Sequence, residues 1–306
     1  MFDAHFHLLP EDVYQNASFY NESWGGLDGH IKSMAEAGVE CALISYPTTD
    51  YHVRKGVSEI QAARLYNEAV GKIAGASGGR MKYLAVVPLT ESAEMIEETN
   101  RAVADGACGL TMPTNGGGVY PNDIKYLPFF EKVSESGIPV FFHPTTMTPF
   151  GHKELRHPLI TPVFQYAYDT TLCLAKVVES GLLNQLPGLK LVFASLGGVM
   201  PVLAGRFDRT YKMLLGRGIV KDMGADPGEA LKQIYVDTGG ATSPSVLTLA
   251  LEVFGEDRLL WGSDFPANRD ITGTIEAVKS LGVCGSVKEK ILGGNLDILL
   301  RSYAVG

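Results

Sequence analysis

Eight short runs rich in Val, Ile, Leu and Phe punctuate the chain: FDAHFHL (2–8), CALISYP (41–47), MKYLAVVPL (81–89), ACGLTMP (107–113), IPVFFHP (138–144), KLVFASL (190–196), QIYVDTG (233–239) and RLLWGSDFP (258–266). Each is nearly continuous in its apolar character, the pattern of a strand covered on both faces. Between the runs the period changes. Leu27, Ile31, Met34 and Ala35 follow i, i+4, i+7, i+8 and predict a helix with one buried face. Ser243-Pro244 supplies an N-cap and a first-turn proline ahead of VLTLALEVF, and Asp270 can cap a helix whose face is Ile271, Ile275 and Val278. Gly106 and Gly137 stand where helices should stop, and SVKEKILGGNLDILLRSY predicts a last amphipathic segment.

Buried strands alternating with helices make a parallel sheet. Eight such units in 306 residues predict an α/β protein, a single-domain (β/α)8 TIM barrel over residues 1–306 with no dividing linker. An open doubly wound sheet would want a glycine-rich phosphate turn after its first strand. The first run ends in HLLP instead. NGGGVYP (115–121) follows the fourth run and has no P-loop lysine, so a mobile loop is expected there.

Composition narrows the function classes. With 45% hydrophobic and 20% charged residues the chain is an ordinary globular protein. A formal charge of −8 argues against nucleic-acid or anionic-membrane partners. No apolar stretch of about 18 residues predicts a membrane span. Cys41, Cys108, Cys173 and Cys284 lie far apart with no CxxC pair, which fits neither a disulfide framework nor a zinc knuckle. With no basic-then-apolar leader at the N-terminus, a cytoplasmic enzyme is expected.

A barrel does its chemistry at the C-terminal ends of its strands. His5 and His7 share one face of the first strand, because side chains alternate. His143 ends the fifth run and Asp264 the eighth; Asp237 sits in the seventh and Ser195 in the sixth. Three imidazoles and a carboxylate meeting at the mouth suit one divalent metal, zinc first, with manganese, iron or cobalt also compatible. Asp237 could touch that site or bond its own turn. Tyr46, Trp24 and Phe265 could line a pocket or pack.

These residues also carry a resemblance. DxHxH at the start, HP after the fifth strand, the stretch 168–209 and WGSDFP near the end resemble the amidohydrolase-related family, in its aminocarboxymuconate-semialdehyde decarboxylase-like branch. The resemblance runs from Asp3 to about Asn295. It implies a distorted (β/α)8 barrel, metal ligands at His5, His7, His143 and Asp264, a substrate-carboxylate contact at Arg206 and a homo-oligomer. Binuclear members of the wider superfamily carry a carboxylated lysine on the fourth strand. ACGLTMP has none, so one metal is expected.

One departure bears on the chemistry. The family usually ends its sixth strand with a histidine that orients water or moves a proton. Ser195 stands there, and the last histidine of the chain is His157. A hydroxyl can bond water or substrate but does not titrate near neutral pH. His152 and His157, on the loop after the fifth strand, are candidate substitutes. Hydrolysis is more forgiving of a lost acid than decarboxylation, which must protonate carbon. The leading expectation is therefore a metal-dependent hydrolase of a small carboxylated lactone, ester or amide, with Asp264 as proton acceptor. A non-oxidative decarboxylase of an aromatic or unsaturated acid is the alternative, followed by a non-catalytic metabolite binder.

Overall fold

The computed structural model describes residues 1–155 and 157–304. All strands run parallel: β1 (Phe2–His7), β2 (Cys41–Ser45), β3 (Met81–Tyr83), β4 (Ala85–Val86), β5 (Leu110–Pro113), β6 (Pro139–His143), β7 (Lys190–Phe193), β8 (Tyr235–Asp237) and β9 (Leu259–Leu260). Hydrogen bonding divides them into β1-β2-β3 and β4 through β9. The division falls inside one barrel strand. The Leu84 amide donates back to Ile44 O at 2.9 Å, and the next amide, of Ala85, donates forward to Gly109 O at 2.9 Å. At the other seam Ala4 N donates to Trp261 O (2.9 Å) and His7 N to Phe265 O (2.7 Å), which closes the ring. Counting β3 and β4 together, eight strands form a distorted (β/α)8 barrel.

A longer helix follows each barrel strand: α1 (Leu27–Glu36), α2 (Glu59–Ala76), α3 (Ser92–Ala104), α4 (Leu127–Ser136), α5 (Tyr166–Glu179), α6 (Met200–Leu215), α7 (Pro244–Phe254) and α8 (Ile271–Lys279). A final helix, α9 (Asn295–Ala304), lies across the bottom. Ala4, Leu43, Leu84, Phe141, Val192 and Leu260 fill the barrel interior, and Leu296, Leu299 and Leu300 of α9 pack under them. Each such leucine stabilises the fold by roughly 1.5–3 kcal/mol relative to exposure. Among the described residues no helix is long and apolar enough to cross a membrane.

All eight apolar runs contain strands, shorter than the runs themselves. The last keeps only Leu259–Leu260, because Asp264 further on turns away with φ +61°. Asp270 caps α8 as expected, accepting from Gly273 N at 2.8 Å. Ser243 precedes α7 without a side-chain cap bond, so Pro244 alone marks its start. In α1 the buried residues are Met34 and His30, while Ala35 is exposed. The C-terminal segment is not one helix. It breaks at Gly293, where a Cβ would stand 2.9 Å from the Phe2 amide nitrogen of β1. The stretch 115–121 holds a hydrogen-bonded turn, Gly116 and Val119 exchanging backbone bonds of 2.9 and 3.0 Å.

Candidate metal centre

β1 delivers two histidines because its register against β2 shifts between Asp3 and Phe6. Beyond that shift His7 pairs with Ser45, and His5 and His7 both reach the mouth, buried. β6 brings His143 to the same level. The three ring centroids form a near-equilateral triangle of 4.9, 5.0 and 5.2 Å.

Each imidazole is anchored through Nδ1. His5 Nδ1 donates to Asp237 Oδ1 at 3.0 Å, His7 Nδ1 to Ser45 O at 3.0 Å, and His143 Nδ1 to Pro144 O at 3.0 Å. Such second partners fix tautomer and ring orientation and leave Nε2 as the available donor of a lone pair. Nε2 of His5 and of His7 stand 3.1 Å apart. Asp264 Oδ1 is 3.2 Å from His7 Nε2 and 3.5 Å from His5 Nε2. Two nitrogens each bound at 2.0–2.1 Å to one zinc ion would be separated by about 3.0–3.4 Å. Potential ligand atoms of His5, His7 and His143 all fall within 4.8 Å of one another. The donor set therefore fits one divalent ion, with Asp264 on its solvent side at 30% exposure.

The field at this point favours positive charge. Burial works against a charged His5, but the neighbouring Asp237 charge and hydrogen bond, with Asp264 and Asp3, raise its pKa to about 9. Burial also opposes ionisation of Asp264; the bond to His7 and the charges of His5 and His7 outweigh it and lower its pKa. Burial, with the charges of His7 and His5, pushes His143 well down, so it offers a neutral ring. Behind them Asp3 is fully buried, accepting the amides of His5 and Ser263 at 3.0 Å each.

Asp264 and Ser195 both occupy the left-handed region, at φ +61° and +51°. Backbone strain of this kind, about 1–3 kcal/mol per residue, gathers where a fold holds reactive groups. Ser195 donates its amide to Asp237 Oδ1 at 2.9 Å, so one carboxylate ties it to His5. Its hydroxyl packs on Gly239, where an added Cβ would come within 2.4 Å of Oγ.

Sequence reasoning placed His5, His7, His143 and Asp264 at strand ends, and they lie together in the fold. Asp237, left open between site and turn, is the partner of His5. Arg206 is not brought into the centre. It is exposed on α6, whose buried residues are Met200, Pro201, Ala204 and Tyr211, so position 206 faces away from the packed side. His157 is exposed, and its Nδ1 accepts the amides of Leu159 and Ile160 at 3.1 and 3.3 Å. His152 does not join the cluster.

The sequence profile of the amidohydrolase family matches residues 2–295. The chain is 29% identical over 279 residues to 6-methylsalicylic acid decarboxylase of Penicillium expansum, covering 86% of this chain and 84% of that one. It is 24% identical over 326 residues to 2-amino-3-carboxymuconate-6-semialdehyde decarboxylase of Dictyostelium discoideum, covering 96% and 89%. The crystal structure of a dihydroxybenzoic acid decarboxylase from Polaromonas sp., with bound manganese and the inhibitor 2-nitroresorcinol, superposes with a TM-score of 0.82. It is 18% identical, covering 98% of this chain and 96% of that one. These relatives overturn the hydrolase expectation, which rested on Ser195 standing in a histidine's place. They are decarboxylases, and this site retains a carboxyl group at the mouth, in Asp264, able to carry a proton. The chain belongs to the amidohydrolase family of enzymes.

Proposed function

We infer that the chain is a metal-dependent, non-oxidative decarboxylase of a small aromatic or unsaturated carboxylic acid, working as one catalytic domain over residues 1–306. The observation that carries the reading is the convergence of imidazoles, each anchored at Nδ1 with Nε2 turned to a common point beside Asp264. His5, His7, His143 and Asp264 would hold one divalent ion. Manganese is favoured over zinc, because the Polaromonas relative carries it and a mixed nitrogen–oxygen set accepts it. Such an ion supplies Lewis-acid charge that draws the substrate's polar groups into register.

The protein's own groups do the rest. Asp237 holds His5 in the tautomer that leaves Nε2 free, and Ser45 and Pro144 do the same for His7 and His143. Asp264, ionised and the most open carboxylate of the cluster, takes a proton from solvent at the mouth and gives it to the substrate carbon that bears the carboxylate, the new C–H bond being made with a π pair of the ring or alkene. The bond from that carbon to the carboxylate carbon then breaks, its electron pair restores the π bond and carbon dioxide leaves, so a hydrogen has replaced the carboxylate with no oxidant needed. Ser195 contributes its backbone amide to Asp237 and needs no titration for this role.

The test is headspace carbon dioxide from manganese-loaded protein given a panel of 2-hydroxybenzoates, run beside a panel of lactones and esters. Carbon dioxide from a benzoate with inert lactones is the expected result. Lactone or ester cleavage without carbon dioxide would overturn the reading.

A further inference from the structure

The barrel mouth has a second half that the metal centre does not use. A cavity of about 200 Å³ lies beside the histidines, and none of its walls comes from them. Strand register fixes its position. Val86 pairs with Thr111 and Thr111 with Phe141, whose ring fills the barrel interior, while Pro113 pairs with His143. Side chains alternate along a strand, so Val86 and Thr111 face inward at the level of Phe141, and Pro113 faces inward at the level of His143. On the other flank Tyr46 directly follows Ser45, the residue whose carbonyl anchors His7. The metal half is thus built by β1, β6 and the turn after β9, and the cavity half by the segment after β2, by β4 and β5, and by the loop after β6. The first turns of α2 close the far wall with Ala62 and Ala63.

The chemistry of this wall is largely apolar. Ala62, Ala63, Val86, Met112 and Pro113 are part of it. Several of its neutral polar groups are already committed. Tyr46 Oη and Thr49 Oγ1 bond at 2.6 Å, and the Asn115 amide donates to Asp169 at 2.9 and 3.0 Å. Among the described residues the only ionisable acid–base pair in the lining is His52 and Glu59, which face each other at 3.7 Å. Among the described residues no lysine or arginine lines the cavity, and Arg206 is exposed on α6. A carboxylate placed here would lose its water without a cation to replace it. An aromatic ring would not. A dry apolar cavity of about 150 Å³ accepts benzene, so this one accommodates a ring with a small substituent.

We propose that this cavity is the subsite for the part of the acid remote from the metal, that it selects an uncharged ring bearing a small apolar substituent over a diacid, and that Ala63 sets the size it admits. The assignment rests on the decarboxylase reading for its biological meaning, but it can be tested without turnover. The probe is 3-methylphenol, the neutral ring with an apolar substituent that remains when a methylated 2-hydroxybenzoate loses its carboxylate. Benzene-1,3-dicarboxylate is the charged comparison. Binding of each is measured by calorimetry on the metal-free full chain, for wild type and Ala63→Leu, whose branched side chain would fill the cavity. Ala63→Val serves the same purpose if the larger residue prevents folding.

The expected result is saturable binding of 3-methylphenol to wild type, at least 10-fold weaker in the Ala63 variant, with the diacid binding at least 10-fold more weakly than 3-methylphenol. No binding of 3-methylphenol to wild type, equal binding to both proteins, or a diacid that binds as well would overturn the subsite. Binding as expected, with no carbon dioxide released from any acid, would keep the subsite and remove the decarboxylase reading. Carbon dioxide release with 3-methylphenol affinity indifferent to Ala63 would do the reverse.

Discussion

The two halves of the barrel mouth use buried carboxylates in opposite ways. In the metal half, Asp237 points its charge at an imidazole of the cluster: its Oδ1 accepts from His5 Nδ1 and from the Ser195 amide. In the cavity half, the buried carboxylates face away from the space they shape. Asp169 accepts from Thr114, Asn115 and Tyr120 and pins the turn that forms one wall. Glu98 accepts from Asn67, Arg64 and Arg101, and Asn67 grips the backbone of Val86 through both its amide groups. The same residue type therefore tunes a reactive group on one side and braces a neutral wall on the other. Charge turned inward makes a site for a cation. Charge turned outward leaves a surface fit for a ring.

Breaking the metal half should have the largest consequence. His143→Ala removes one of the converging nitrogens, and several kcal/mol of charge stabilisation would go with the ion, a loss of about 10³-fold or more in carbon dioxide release. Steady-state rates across a manganese titration check this, with full rescue at high manganese as the opposing result. Asp237→Ala is gentler. It leaves all ligands in place but frees the His5 ring, and loss of such a support typically costs about 10–100-fold in metal affinity. Equilibrium dialysis against manganese reads that change directly, and unchanged affinity would remove Asp237 from the site.

Glu98→Gln sharpens the contrast from the other side, with the smallest effect on chemistry. It should leave manganese affinity unaltered while lowering stability by about 1–3 kcal/mol, because buried donors lose a charged acceptor. Burial alone would raise the Glu98 pKa; the bonds from Arg101, Asn67 and Arg64 and the Arg101 charge outweigh it and lower it. A carboxyl lowered in the folded state adds stability above its ordinary value of about 4.3, and that contribution disappears as pH falls through the folded-state value. The gap in melting temperature between wild type and variant should be full at pH 7 and close below pH 4. A gap that stays constant with pH would show that Glu98 acts through shape alone.

The sequence made the barrel and the cluster of His5, His7, His143 and Asp264 legible for one reason. Strands buried on both faces are written as apolar runs, and a histidine or aspartate ending such a run stands out. The braces did not stand out. Glu98 lies in SAEMIEETNRAVA and Asp169 in YAYDTTLC, where a charged residue on a helix looks solvated until its neighbours are known. Asp237 is 232 residues from the ring it holds, a distance no local pattern bridges. His30 replaces Ala35 on the buried side of α1 because polarity in a periodic pattern says nothing of a partner carbonyl, here Gly26 O at 2.9 Å. Ser195 misled in a different way. Its missing imidazole pointed to hydrolysis, whereas the relatives are decarboxylases and the proton carrier proposed above, Asp264, stands on another strand end. The cavity was invisible because its walls join Ala62 and Ala63 of α2, Val86 of β4 and Thr111 of β5 to threonines of the loops after β2 and β6, residues with no shared pattern.

The most direct test of the account joins metal and reaction in one experiment. Bound manganese per chain is counted for wild type and the His5→Ala/His7→Ala variant, and carbon dioxide release from a 2-hydroxybenzoate is measured on the same samples. The account predicts one ion per wild-type chain, none in the variant, and release that rises in proportion to bound ion. Carbon dioxide from metal-free wild type, or an ion retained and active in the variant, would contradict it.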